Sequence, residues 1–430
     1  MAALMDYLVW RGDIPLEVCP FSEIDALAMA MVCYLNFQSM DDPKGWTLAE
    51  AKRLELVLPS DHSAFPARKA LFEVMADAKR FADIRLHHFI ARTDPEKKLQ
   101  FSAVCADLPD GSMCVCFRGT DGTLVGWRED LDMSYQSPVP AQEAAEVYLS
   151  RAAGLDGRPL RVAGHSKGGN LAVYAAARLE SSLQARVTDI YTFDGPGMSP
   201  EVFDSEGYQA IAGRIRSFLP QSSIVGLMMK YAEPYTVVKS SASGLIQHDP
   251  LTWQIYGPHF ETLPEVDDNA KTIRDTLHEW LRKTTRQDRG KVVDSVFDVL
   301  STTGQASISD LMGDKLKNIL AVVSGSRELD PESRKAVGKL TGLFFSLGID
   351  SLADRYGIRR PFFLSGEAKR PPKKEELPQE KEAEPPKPEE LAADAEPLKP
   401  EEPAADAEPL KPEEPPRDLP AEAEKPDIDA

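Results

Sequence analysis

The spacing of apolar residues divides the chain into regions of different texture. Residues 23–32 are almost all apolar or small and contain no helix breaker. Further along, Thr47 stands three residues before Glu50, which is the arrangement of a capping box at the start of a helix. Both segments predict helices, so we interpret residues 1–79 as a helical N-terminal region that packs on a core.

From about residue 84 the pattern changes to short β-type runs separated by Pro, Asp and Gly. Strands that alternate with helices indicate parallel crossover connections. Residues 80–267 are therefore predicted to form an α/β core, a mostly parallel sheet flanked by helices. The predicted strands lie at 86–90, 101–105, 113–117, 160–163, 187–193, 214–219 and 235–239, and the predicted helices at 137–153 and 170–180.

Two further regions follow this core. Residues 268–366 carry apolar positions at spacings of three and four, which predicts a helical cap or appendage. Residues 367–430 hold 15 of the 34 prolines, 21 acidic against 10 basic residues, and a twelve-residue repeat at 392–403 and 404–415. Such a composition cannot bury enough apolar surface to fold, so we predict a disordered acidic tail. The tail is either a solvated spacer or an arm for a protein partner.

Composition and charge exclude several classes of protein. With 430 residues and 42% hydrophobic content, the chain can form a sizeable core. The net charge of −19, without a basic stripe, argues against a nucleic-acid partner. No apolar run approaches the length of a membrane-spanning helix, and the first residues lack a basic leader, so neither a transmembrane segment nor secretion is expected.

The cysteines indicate a reducing compartment. They form an odd set without the spacing of metal ligands, which favours a cytoplasmic location. The sequence also lacks a glycine-rich phosphate loop and a cluster of His, Asp and Glu, so no cofactor and no metal is expected. The cysteines are Cys19, Cys33, Cys105, Cys114 and Cys116.

The most specific local pattern is Gly-His-Ser-Lys-Gly-Gly at residues 164–169. It follows a predicted strand directly and precedes a predicted helix. In a G-x-S-x-G elbow the serine occupies a strained turn, and glycines allow the backbone to approach closely on both sides. We therefore predict that Ser166 is a nucleophile, and that the adjacent His165 is a packing residue and not its base.

A second pattern, Phe-Arg-Gly-Thr at residues 117–120, ends an upstream strand. The backbone amide of Thr120 could lie beside the serine, and the amide of Lys167 at the start of the following helix would add a second donor. Together they would form an oxyanion hole. The alternative is an ordinary strand-end turn in which Thr120 caps a helix.

These two motifs, with Thr-Phe-Asp-Gly-Pro-Gly at residues 192–197, resemble the successive motifs of class 3 (fungal-type) lipases. Segments 7–13, 20–26 and 248–254 resemble more closely a bacterial branch of that superfamily, the Mbeg-like domain of unknown function. The resemblance spans about residues 4–345. It implies an α/β-hydrolase fold, here with helical additions at both ends, and a serine hydrolase, but it indicates no substrate.

The base should follow the last core strand if the chain order is serine, acid, histidine. Three histidines come after Ser166, namely His248, His259 and His278. His248 follows the strand at 235–239 after a short loop rich in Ser and Gly, so we predict that it is the base. His259 is the alternative, and a purely structural His248 also remains open.

The acid is less clear, because the chain departs from the lipase pattern. The resemblance assigns the lipase acid to the position of Ser223, which has no carboxylate. Asp194 ends the strand after the elbow helix, and a triad is defined by geometry and not by sequence position. We therefore predict Asp194 as the acid. Asp249, a Ser–His dyad, and a turn-forming role for Asp194 are the alternatives.

Together these features predict a serine esterase or lipase-like hydrolase that cleaves a carboxylic, lipid-like ester through an acyl-enzyme. Its substrate would be a small molecule or a lipid. A thioester or amide substrate remains open, since leaving-group preference depends on pocket shape. The alternative from another class is a catalytically weak or inactive α/β-hydrolase scaffold that serves for binding, with the repeat tail as its contact arm.

Overall fold

A nine-stranded sheet forms the centre of the computed structural model, which describes residues 2–38, 44–60, 62, 64–230 and 234–301. The C-terminal part of the predicted appendage, 302–366, and the predicted tail, 367–430, lie outside the described residues. Two further strands, β9 and β10, pair with each other outside this sheet. In chain order all the strands are β1 Trp46–Thr47, β2 Arg85–Asp94, β3 Leu99–Asp107, β4 Met113–Phe117, β5 Leu160–His165, β6 Val187–Phe193, β7 Ile215–Pro220, β8 Tyr235–Val238, β9 Ile255–Tyr256, β10 His259–Phe260 and β11 Thr262–Leu263.

Helices cover both faces of this sheet. In chain order they are α1 Leu4–Arg11, α2 Glu23–Val32, α3 Leu48–Arg53, α4 Phe65–Asp77, α5 Leu124–Asp132, α6 Pro140–Ala153, α7 Lys167–Arg178, α8 Ser181–Gln184, α9 Pro200–Phe203, α10 Glu206–Ile211, α11 Asp268–Lys283 and α12 Arg286–Ser301. The predicted capping box is present, since the Thr47 hydroxyl accepts from the amide of Glu50 and the Glu50 carboxylate accepts from the amide of Thr47.

The central sheet is mixed. Its strands lie in the order β1-β2-β3-β4-β5-β6-β7-β8-β11, and only β4 to β8 run parallel to one another. Strands β2, β3 and β4 form an antiparallel meander because the segments that join them, 95–98 and 108–112, are too short for a crossover connection. The core is thus an α/β-hydrolase-like sheet that is parallel in its centre and extended by antiparallel strands at both edges.

The crossover helices share one face of the sheet. Strands β4 to β8 are neighbours in chain order, and right-handed crossovers between successive neighbours put every connecting helix on the same side. Helices α6, α7 and α10 pack there on apolar residues of β3 to β6, such as Val115 and Val162. The topology leaves the opposite face without crossover helices.

The N-terminal helices α1 to α4 cover that opposite face. Cys114 and Cys116, which are two residues apart on β4, both point to it, as strand alternation requires. Helix α2 is capped by Ser22, and every residue after Glu23 is buried. The N-terminal region therefore completes the hydrophobic core of the sheet.

A buried ion pair fixes this N-terminal layer. Both side chains are fully buried, and Arg80 Nη2 lies 2.5 Å from Asp25 Oδ2 while Arg80 Nε donates to Oδ1 at 2.8 Å. The Tyr7 hydroxyl donates to the same Oδ1 at 3.1 Å, and its burial raises the pKa of Tyr7 to about 12. Arg80 also donates to backbone carbonyls, those of Ile14, Cys19 and Pro20. The pair thus joins α1, α2 and the segment after α4.

Candidate active site

Ser166 lies in a strained turn between β5 and α7. Its φ is 57° and its ψ is −131°, a conformation that residues with a side chain rarely adopt. A Cβ on Gly164 would lie 2.1 Å from the carbonyl oxygen of Gly168, and a Cβ on Gly168 would lie 2.2 Å from that of Phe117. Glycine at both positions is therefore a steric requirement of this elbow.

A chain of hydrogen bonds joins the serine to a histidine and an aspartate. Ser166 Oγ lies 2.9 Å from His248 Nε2, and His248 Nδ1 lies 2.6 Å from Asp194 Oδ2. A carboxylate can only accept, so Nδ1 carries the proton and donates to Asp194, which leaves Nε2 to accept from the serine hydroxyl. The structure thus brings together Ser166, His248 and Asp194, the three residues predicted from the sequence.

Asp194 reaches the histidine from the end of β6. Its side chain is 1% exposed, and its φ of 49° turns the chain sharply at this point. The second oxygen, Oδ1, accepts from Ser223 Oγ at 2.5 Å and from the amide of Gly226 at 3.1 Å. This role of the Ser223 hydroxyl was not predicted from the sequence, which indicated only that position 223 lacks the acid. The available signal was that a hydroxyl, which can donate to a carboxylate, occupies that position.

The predicted oxyanion turn lies against the elbow. A Cβ on Gly119 would come within 3.1 Å of Ser166 Cβ, which shows how closely the turn approaches the serine. Within the described part of the chain, neither the amide of Thr120 nor that of Lys167 takes part in a hydrogen bond. Both amides are therefore available as donors.

A buried carboxyl group braces the same turn. Thr120 Oγ1 donates to Asp130 Oδ2 at 2.5 Å. Burial raises the pKa of Asp130 to about 6, although the nearby charge of Lys167 and the hydrogen bond from Thr120 oppose this shift. The threonine hydroxyl is thus held by α5, and only its backbone amide remains for an oxyanion.

The ammonium group of Lys167 points away from the serine. Its Nζ donates to Glu129 Oε2 at 2.7 Å and to the carbonyl oxygen of Gln100 at 2.8 Å, and the side chains of Lys167 and Glu129 are both fully buried. Glu129 Oε1 accepts from the amide of Ala141 at 2.7 Å. The lysine therefore anchors α7 to α5 and β3 and contributes no free charge to the candidate site.

The alternative bases and acids have other partners. His259 Nδ1 lies 2.8 Å from a carboxylate oxygen of Glu23, and His278 Nε2 lies 3.2 Å from the carbonyl oxygen of Leu227. Asp249 caps a short 3₁₀ segment by accepting from the amide of Leu251. The structure brings none of these three side chains into contact with Ser166.

An open groove of about 420 Å³ lies beside Arg118, the residue before Gly119 and Thr120. Arg118 lines it and is bonded through Nη1 to Asn36 at 3.0 Å. Its lining is otherwise partly apolar, from Phe37, Leu58 and Phe89. The residues that line this groove do not include Ser166, Asp194 or His248.

Comparison with known families assigns the segment that contains these residues. Residues 75–298, just over half of the chain, match the model of the Mbeg1-like family. The chain belongs to the Mbeg1-like family. The matched segment of this Mbeg1-like protein includes Ser166, Asp194 and His248, whereas helices α1 to α3 precede it.

The Mbeg1-like chain was also compared with solved structures and with curated proteins. The crystal structure of M37 lipase is 16% identical, covers 49% of this chain and 70% of the lipase, and has a TM-score of 0.30. No curated protein matches the chain. The family is therefore established by the segment 75–298 alone.

Two kinds of feature, a metal-binding cluster and a membrane-spanning helix, are not found in the described part of the Mbeg1-like chain. Among the described residues, no group of three or more His, Cys, Asp and Glu side chains could hold a metal ion. In the same part of the chain, every helix is too short or too polar to cross a membrane.

Proposed function

We propose that the chain is a serine hydrolase that cleaves a carboxylic, lipid-like ester through an acyl-enzyme. The observation that carries the proposal is the pair of hydrogen bonds from Ser166 to His248, 2.9 Å, and from His248 to Asp194, 2.6 Å. These are the contacts that a nucleophile, its base and an orienting acid require. The strained elbow around Ser166 supports the same assignment.

The proposed reaction begins with attack of Ser166 Oγ on the ester carbonyl carbon. His248 Nε2 takes the serine proton, and Asp194 stabilises the resulting imidazolium through Nδ1. The amides of Thr120 and Lys167 bind the negative oxygen of the tetrahedral intermediate. His248 then gives the proton to the leaving alcohol, and water hydrolyses the acyl-enzyme by the same steps in reverse order.

The proposed substrate class rests on the resemblance to class 3 lipases. A thioester or amide substrate would use the same residues, and the esters tested first should therefore differ in leaving group.

The rival proposal, an inactive scaffold, was favoured by Ser223 at the position of the lipase acid. The contact of 2.6 Å between Asp194 and His248 supports the hydrolase instead, because it offers a carboxylate from another strand. A scaffold that binds without catalysing a reaction is therefore one possible outcome of the test. A role of residues 367–430 as an arm for a protein partner is likewise a proposal that rests on composition.

The test combines a fluorophosphonate probe with p-nitrophenyl esters of several acyl lengths. We expect stoichiometric labelling of Ser166, ester hydrolysis, and loss of both in Ser166→Ala with an unchanged melting temperature. The loss of turnover should be on the order of a thousandfold or more. Absence of labelling in the wild type would favour the scaffold, and a Ser166→Ala variant with more than a few per cent of the rate would contradict the assignment of the nucleophile.

We also propose a cytoplasmic location. All five cysteines, each within the described residues, are free, and four of them are buried. Cys114 Sγ and Cys116 Sγ lie only 3.7 Å apart without a disulfide between them. Free thiols in this number are typical of a reducing compartment. Fractionation of cells with an antibody to the chain would test the location.

A further inference from the structure

His165, the residue before the serine, has two hydrogen-bond partners that the reaction scheme does not use. Its side chain is buried between the elbow and the end of α2. Nδ1 lies 2.8 Å from the hydroxyl of Tyr34, and Nε2 lies 2.8 Å from the backbone carbonyl oxygen of His248. The His165 and His248 rings also face each other, with centroids 4.7 Å apart and planes tilted by 39°.

The partners of His165 determine its tautomer. A carbonyl oxygen can only accept, so Nε2 carries the proton and donates to His248. Nδ1 must then accept, and the Tyr34 hydroxyl is its donor. Burial lowers the pKa of His165 well below its usual value and raises the pKa of Tyr34, so both groups are neutral near neutral pH.

His248 needs support because it lies outside the regular elements. It ends a 3₁₀ segment, Gly244–His248, in the connection between β8 and β9, and its side chain is 29% exposed. Trp253 Nε1 donates a hydrogen bond of 2.7 Å to the carbonyl oxygen of Gln247, the residue before His248. The bond from His165 fixes the carbonyl of His248 itself.

We propose that His165 is a positioning residue, which holds the backbone of His248 so that the imidazole stays aligned between Ser166 and Asp194. Tyr34 sets the tautomer that allows His165 to do so. The inference rests on the proposed function, since His165 acts through His248. A neutral His165 also leaves the neighbouring ring free to become an imidazolium without repulsion from a second positive charge.

The experiment compares four variants by kcat and KM on a p-nitrophenyl ester. His165→Phe keeps a ring but removes both nitrogens, whereas His165→Gln keeps an amide donor that can reach the carbonyl of His248. Tyr34→Phe removes only the hydroxyl. Tyr191→Phe is the matched control, because it removes a hydroxyl from a buried tyrosine of β6 without touching His165.

The expected results separate positioning from packing. His165→Phe should lower kcat on the order of 100-fold, which is the effect expected when a catalytic group is displaced by about 1 Å. Tyr34→Phe should lower kcat about fivefold, as expected for one neutral hydrogen bond. KM should stay within roughly twofold in both. His165→Gln should recover most of the turnover, and Tyr191→Phe should match the wild type. Equal loss in His165→Phe and His165→Gln, or an unchanged kcat in His165→Phe, would overturn the proposal.

A second measurement keeps the inference apart from the proposed function. The proton that His248 Nδ1 shares with Asp194 should give a low-field resonance in ¹H NMR spectra, whether or not the protein is active. We expect this resonance in the wild type and in His165→Gln, and its loss in folded His165→Phe. An inactive wild type that shows this pattern would contradict the proposed function alone. A resonance that persists in His165→Phe would contradict the positioning role.

Discussion

The carboxylate of Asp194 divides its two oxygens between different partners. Oδ2 contacts His248 Nδ1, while Oδ1 accepts from Ser223 and from the amide of Gly226. The two donors on Oδ1 fix the direction of Oδ2. Loss of the carboxylate and loss of one donor should therefore have very different effects.

Replacing Asp194 with asparagine tests this difference. Asp194→Asn should lower kcat on the order of 10⁴-fold with the fold intact, because an amide donor at this position favours the wrong imidazole tautomer. Ser223→Ala is the matched control and should lower kcat only a few-fold, since Gly226 still donates to Oδ1. Steady-state kinetics on one ester measures both. An Asp194→Asn variant with a tenth of the wild-type rate would instead indicate a Ser–His dyad.

The glycines of the elbow give a steric test. Gly168→Ala should destabilise the protein by about 1–3 kcal/mol, because its Cβ would lie 2.2 Å from the carbonyl oxygen of Phe117. The same clash should displace the turn that carries Thr120 and abolish turnover. Gly157→Ala, whose Cβ would have no neighbour within 4 Å, is the control and should change neither quantity. Urea unfolding and kinetics measure the two effects, and equal stability of both variants would contradict the steric account.

Asp130 predicts how stability depends on pH. Its folded-state pKa of about 6 lies above that of an unfolded chain, so the folded state binds the proton more tightly. The contribution of this group to stability is complete below about pH 4 and is lost as the pH rises through about 6. Asp130→Asn resembles the protonated form, so its melting temperature should rise relative to wild type between about pH 4 and about pH 6 and keep that difference at higher pH. A difference that stays constant over this range would refute the pKa assignment.

At the scale of secondary-structure elements, the position of α2 depends on a fully buried pair of charges. Asp25→Asn should destabilise the protein by about 3–5 kcal/mol, because Arg80 would be left as a buried charge without its partner. The exposed pair of Lys52 and Asp77 is the control, and Asp77→Asn should change stability by less than about 1 kcal/mol. Denaturant unfolding measures both. If the loss of stability in Asp25→Asn were as small as that in Asp77→Asn, α2 would be held by its apolar contacts and not by this ion pair.

Local signals predicted the elbow and the caps because each involves neighbouring residues. Gly164, Ser166 and Gly168 specify the turn between β5 and α7 through sterics that act within a few residues. The mixed sheet was harder to predict, since β2 and β3 have β-type composition whatever the direction of their partners. Strand β1, only two residues long, carries no periodicity from which it could be predicted.

Truncation tests the organisation of the whole chain. Removal of residues 367–430 should leave kcat and the melting temperature unchanged, because a segment with this proline and charge content offers few apolar groups to a core. The truncated and full-length chains can be compared by kinetics and calorimetry. A large drop in either quantity would indicate that the repeats contact the folded region, and would favour the arm for a protein partner.

Contacts between distant segments account for what the sequence did not predict. Tyr34 and His165 are 131 positions apart, and only the packing of α2 against the sheet brings them together. The family-like segments of the N-terminal region, 7–13 and 20–26, do not include Tyr34, so they gave no indication that it lies beside the elbow. Asp194 was predictable because it ends a strand next to β5. Its bond from Ser223 depends on the path of the loop after β7.

The position of the N-terminal layer has a consequence for biosynthesis. Helix α2 packs on β5 and β6, and the amide of Ile255 donates to the carbonyl of Ala2 at 2.9 Å. A ribosome that adds 5–20 residues per second makes residue 255 about ten to fifty seconds after residue 2. The most apolar helix of this layer therefore emerges long before the surface that buries it. Nascent chains that end before about residue 255 should depend on chaperones that bind exposed apolar segments, and the layer formed by α1 to α4 should fold late although it is made before the strands that it covers.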